Sequence, residues 1–150
     1  MPPITFATGY MVDLRKSLSQ LEPRDWGTVP DDASPMIRRL AGLQHKPIGQ
    51  FDIEDLGLCL GQEIGTKFLL PLALAHLAKD PYSEGTHYKG DLLCNVLRID
   101  RKFYGEYPQF KRRVEILLVR ARRSIPTLDE IDAACLLPAL AQAAKEFDGN

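Results

Sequence analysis

The sequence predicts an all-α protein, one compact domain over residues 1–150 built as a bundle of about seven to eight helices. Apolar residues recur every three or four positions through most of the chain, the spacing that collects them on one face of a helix. Almost nothing alternates with the period of two that a half-buried strand requires. Proline, glycine and turn-forming clusters separate the periodic stretches. A chain of 150 residues buries roughly 70% of the surface its unfolded form exposes, so no disulfide or metal staple is needed.

The first helix is expected from about Val12 to Leu21, ended by Pro23. RDWGTVPDDASP follows and is rich in turn formers, which makes residues 1–30 a less regular segment. Trp26, the one tryptophan, either closes an end of the core or serves as an anchor. Ser34 followed by Pro35 starts a second helix running to about His45. Pro47 and Gly49 interrupt, and Asp52 caps a third helix by accepting backbone N–H bonds at its open end. Steps of 100° put Ile53, Leu56, Leu60 and Ile64 on one stripe of it, with Glu54, Asp55 and Gln62 pointing away.

KFLLPLALAHLAKD is apolar nearly all round and is therefore expected as the central buried helix. Pro71 either kinks its first turn or moves its start to about Leu70. Asp80 and Pro81 end it. Gly90 as turn residue and Asp91 as N-cap open LLCNVLRI. A short helix from Arg101 to Tyr107 closes at Pro108. From Gln109 to Ser124, Phe110, Val114, Leu117, Leu118, Ala121 and Ile125 form an amphipathic stripe. Thr127 and Glu130, in TLDE, form a capping box that opens a last helix to about Phe147, with a bend at Pro138.

Composition narrows the function classes. The net charge of −1 gives no general attraction to nucleic acid or anionic membrane, so any charged function is local. The longest apolar run, Phe68 to Ala75, falls short of a membrane span. MPPITFATGY lacks the basic and apolar regions of a secretory signal, which points to the cytoplasm. Cys59, Cys94 and Cys135 are odd in number and widely spaced, and are expected as reduced, buried thiols. No metal or other cofactor is called for: His45, His76 and His87 belong to no metal-ligand spacing, and no glycine-rich phosphate loop follows a strand.

Two charged features remain. Acidic residues gather in FDIEDL, at Glu63 and Glu84, and in LDEID. The helix dipole alone explains those in first turns, and the alternative is an anionic patch for a cationic partner. Lys111, Arg112, Arg113, Arg120, Arg122 and Arg123 crowd the helix KRRVEILLVRARR. A solvated face explains them, because no aromatic stacking residues are interleaved for RNA or DNA. Ile116 and Val119 do not fit that explanation, since they fall on the cationic side.

The stretch from Asp52 to Arg101, with its DLxLxLGQxIG helix, LLPLAL helix, DPxxEG connection and YxGDLLxxVLR, resembles the immunity proteins of bacterial contact-dependent growth inhibition systems. A looser likeness runs on through FYGEYP and LDEID. The resemblance implies a small cytosolic protein without catalytic activity or small-molecule substrate. Such a protein binds the toxic C-terminal domain of a cell-surface effector, often a nuclease. In EGTHYKGDLL the pattern includes Tyr88, Gly90 and Asp91 and leaves His87 open. Tyr88 is then a ring buried against the helices with its hydroxyl satisfied.

On this reading Glu54, Asp55, Glu63 and Glu84 mimic phosphate and block a cationic nuclease cleft. In the opposite polarity, Ile116 and Val119 on the basic helix dock an acidic toxin surface. Two rivals stand beside them: a helical nucleic-acid-binding regulator using residues 111–123, and an enzyme using His87 and Asp91 as an acid/base pair.

Overall fold

A computed structural model describes residues 4–5, 11–22, 27–85 and 87–148. Trp26 lies outside them. Among the described residues there are eight α-helices: α1 (Leu18–Leu21), α2 (Pro35–Leu43), α3 (Ile53–Gly61), α4 (Thr66–Lys79), α5 (Asp91–Leu97), α6 (Arg101–Glu106), α7 (Pro108–Arg123) and α8 (Glu130–Asp148). The only ladder among these residues pairs β1 (Ile4–Thr5) with β2 (Met11–Val12), antiparallel. The fold is thus the all-α bundle that the periodicity predicts. None of these helices is long and apolar enough to cross a membrane.

Local signals set most boundaries. Ser34 accepts the N–H of Ile37 at 3.3 Å, with Pro35 at the first helical position. Asp52 accepts from Asp55 N at 2.8 Å, and the Asp55 carboxylate returns to Asp52 N at 3.2 Å, a reciprocal cap at the start of α3. Pro71 is buried inside α4, which runs through it from Thr66. Tyr107 ends α6 and is also the residue from which α7 starts, with Pro108 at its first position.

Four expectations are corrected. The helix from Val12 to Leu21 shrinks to one turn, because Val12 joins the ladder and Ser17 caps only the residues after it. The last helix is capped by Asp129, which accepts from Asp132 N at 2.8 Å; Thr127 sits instead in a 3₁₀ turn with Pro126. Asp91 is the first residue of α5, and the left-handed Gly90 (φ 94°) holds the cap position. Cys135 is exposed, because α8 buries Leu136, Leu140, Ala143, Ala144 and Phe147 on another face, while Cys59 and Cys94 are buried.

Packing places α3 against α4 and α5, and α5 against α8. Helix α4 also meets α5 and α7, α6 folds onto α7, and α2 lies on α3. The most enclosed helix is α5, with Leu92, Leu93, Cys94, Val96 and Leu97 all buried. Helix α4 leaves Ala75, Ala78 and Lys79 at the surface. Each fully buried leucine contributes about 2 kcal/mol relative to exposure. Polar pins fix the layers: the Tyr82 hydroxyl donates to the Ala121 carbonyl of α7, and that of Tyr104 to the Val96 carbonyl at 2.7 Å.

Candidate functional site

Helices α2, α3 and α5 do not close completely on one another. Between them and Gly85 and His87 runs a groove of about 500 Å³. Met36, Ile53, Leu58 and Leu92 give it apolar walls, and Met36 is 43% exposed. Its floor lacks side chains at Gly57 and Gly61, one helical turn apart. Asn95 of α5 crosses there and donates from Nδ2 to the Gly57 carbonyl at 3.2 Å. A Cβ at Gly57 would stand 3.4 Å from that nitrogen.

Asp91 builds the wall that Gly85 and His87 form. Its side chain is buried, and its two oxygens accept the backbone N–H groups of Gly85 at 2.7 Å and His87 at 2.8 Å. Glu84 and Lys89 pair across the same loop in an antiparallel bridge. His87 therefore meets Asp91 through its backbone nitrogen, and its exposed side chain borders the groove. Tyr88 packs partly buried on the core. Burial and a hydrogen bond to Cys94 push its hydroxyl up to about 12.

The four acidic candidates separate. Glu54 is exposed at the groove's edge, with Oε2 3.7 Å from Arg39 Nη2. Glu84 is exposed beside Gly85. Glu63 lines an adjoining depression that shares Gly61, Gln62 and Asn95 with the groove. Its backbone is left-handed, φ 54°, and its Oε1 accepts the Asp100 N–H at 2.8 Å, ahead of α6. Asp55 does not point away from the core. It is buried, accepting from Arg39 Nη2 at 2.8 Å and Lys46 Nζ at 2.7 Å. Burial alone would raise its pKa, but hydrogen bonds from Lys46, Arg39 and the Asp52 N–H outweigh it and hold the carboxyl below its ordinary value. Asp55 thus ties α2 and the following turn to α3, and no oxygen of it faces a partner. Its partnership with Arg39 also engages the cation nearest the groove.

Ile116 and Val119 lie on α7, away from the groove, at 66% and 48% exposure. Phe110, Val114, Leu117, Leu118 and Ala121 of the same helix are buried, as their spacing predicts, whereas Ile125 falls beyond the helix in the 3₁₀ turn and is only partly buried. The three histidines stand apart, and no three His, Cys, Asp or Glu side chains among the described residues are grouped to hold a metal ion.

What fold and groove define is a helical scaffold with a recessed, acid-edged face. The chain belongs to the family of immunity proteins of contact-dependent growth inhibition (CDI) systems, whose sequence model matches residues 20–114. No curated protein and no solved structure matches it. The matched span takes in α2 to α6 and so every lining residue of the groove.

Proposed function

We propose that this chain neutralises the C-terminal toxin domain of a CDI effector by occluding it at the α2–α3–α5 groove, and that the toxin is a nuclease. It acts in the cytoplasm by occupation, without cofactor or turnover of its own. The observation that carries this reading is the combination of an apolar, glycine-floored recess with exposed carboxylates at Glu54, Glu63 and Glu84. A nuclease cleft is cationic because it holds phosphates, so carboxylates at the rim steer it and an apolar side chain of the toxin fills the recess. A stable complex buries roughly 1,600 Å² in total, so contacts extend beyond the groove onto α2, Glu84 and His87.

The test is affinity for the C-terminal domain of the effector encoded beside this gene. Glu54→Lys combined with Glu84→Lys should slow association about tenfold or more and flatten its salt dependence, with thermal stability unchanged. Filling the floor with Gly61→Leu should raise the dissociation rate. Unchanged binding in both variants removes the groove as the toxin site, and failure of the two wild-type proteins to associate removes the function.

A further inference from the structure

Helix α7 carries a strip that no part of the described bundle covers. Arg112, Ile116, Val119 and Arg123 follow at steps of four, three and four residues, so they align along one outward line about 16 Å long at ~1.5 Å per residue. All four are exposed. The strip has aliphatic residues at its centre and an arginine at each end.

Beside it, against α4, lies a cleft of about 250 Å³ bounded by Leu74, Ala78, Ile116 and Leu117. Arg113 lines this cleft with its Nη1 buried and without a hydrogen-bond partner. Burial lowers its pKa from the ordinary arginine value. Its neighbours are engaged: Arg120 donates to the Ala78 carbonyl at the end of α4, and Arg122 stands 3.6 Å from Asp148. Arg112, Arg113 and Arg123 pair with no carboxylate among the described residues. Glu115 is the one acid on α7.

We propose that this face is a second docking surface, taken by an acidic amphipathic helix of a protein partner whose apolar side chains cover Ile116 and Val119. One of its carboxylates enters the cleft and accepts from Arg113 Nη1. Three features favour a helix of protein over nucleic acid. The four-three-four step is the one by which helices interdigitate. The centre of the strip is aliphatic where a strand of RNA would need aromatic platforms. The orphan guanidinium nitrogen is buried beside a small cleft that Arg113 and Arg120 line together with apolar residues, which suits one side-chain carboxylate better than a row of phosphates. The surface lies on different elements from the groove and stands whether or not the groove holds a toxin.

The probe is a short synthetic helical peptide with two central leucines three residues apart and glutamates a turn beyond each, titrated into the full chain and followed by amide and arginine side-chain NMR. Shifts are expected at Arg112, Ile116, Val119 and Arg123 and at the Arg113 guanidinium. Ile116→Ser with Val119→Ser should weaken binding roughly tenfold or more. Arg113→Met should weaken it without lowering the melting midpoint, since the variant removes an unsatisfied buried donor. If the double serine variant unfolds, Arg112→Glu with Arg123→Glu decides, and must weaken binding in its place. Equal binding of a peptide with lysines for the glutamates, or no shifts on α7, overturns the proposal. So does a duplex RNA that binds this strip with steep salt dependence and is indifferent to the two serines.

Discussion

Oδ1 of Asp91 lies 2.7 Å from the backbone nitrogen of Gly85, six residues earlier in the chain, and folds the connection between α4 and α5 back over the start of α5. The other oxygen holds His87 N. Asp91→Asn replaces one acceptor with a donor that faces an N–H, and should destabilise the protein by about 2 kcal/mol. Faster hydrogen exchange at Gly85 and His87, together with a lower urea midpoint, checks it. An unchanged exchange rate at both amides would show that something else holds this loop.

Asp55 predicts a pH dependence. Its folded pKa lies below the ordinary value of 3.8. A depressed carboxyl stabilises the fold fully above its unfolded pKa, and that contribution fades as pH falls through the folded value. The wild type should therefore lose stability below about pH 4, and Asp55→Asn should show a shallower decline there. At neutral pH the variant should be less stable by about 2 kcal/mol. This is less than a deeply buried ion pair, because Arg39 and Lys46 both keep contact with water.

Gly90 combines a left-handed backbone with a close neighbour: an added Cβ would stand 2.6 Å from Leu136 Cδ1. Gly90→Ala should cost about 3 kcal/mol, from strain and displaced packing together. Gly27 is also left-handed, φ 68°, but a Cβ there meets none of the described residues within 4 Å. Gly27→Ala should cost only the backbone part, about 1 kcal/mol. Chemical denaturation of the two variants separates the contributions, and equal losses would contradict the contact with Leu136.

Thiol labelling should proceed in two phases. Cys135 is exposed and should react first. Burial pushes the Cys59 thiol up to about 12, and burial likewise raises Cys94. Both should react only as fast as the fold opens. Mass spectrometry after a short pulse of iodoacetamide distinguishes the sites, and early modification of Cys59 or Cys94 would contradict their enclosure.

What the sequence discloses here is what neighbours in sequence decide. Ser34 with Pro35, Asp52, and the buried stripe of α7 are set within a few residues, and the structure places them as their spacing predicts. Asp55 was hidden because its partners Arg39 and Lys46 are 16 and 9 residues away. Helical steps alone send it to solvent. Asp129 takes the cap that the spacing assigns to Thr127, because the 3₁₀ turn at Pro126 holds Thr127 and delays the helix. The groove arises where three helices and a loop converge, which no single window of sequence reveals. Its one trace was the pair Gly57 and Gly61, four apart on a helix that otherwise carries bulky residues on that side.

That pair has an effect on how such a protein can change its choice of ligand. Because Gly57 and Gly61 line the recess while Leu56, Cys59 and Leu60 pack inward from the same helix, a carbon added at Gly61 makes the socket shallower and leaves the hydrophobic interior untouched, whereas one at Gly57 stands 3.4 Å from Asn95 Nδ2. At Gly61, depth and with it the size of the protruding residue that fits become adjustable on a largely unchanged frame.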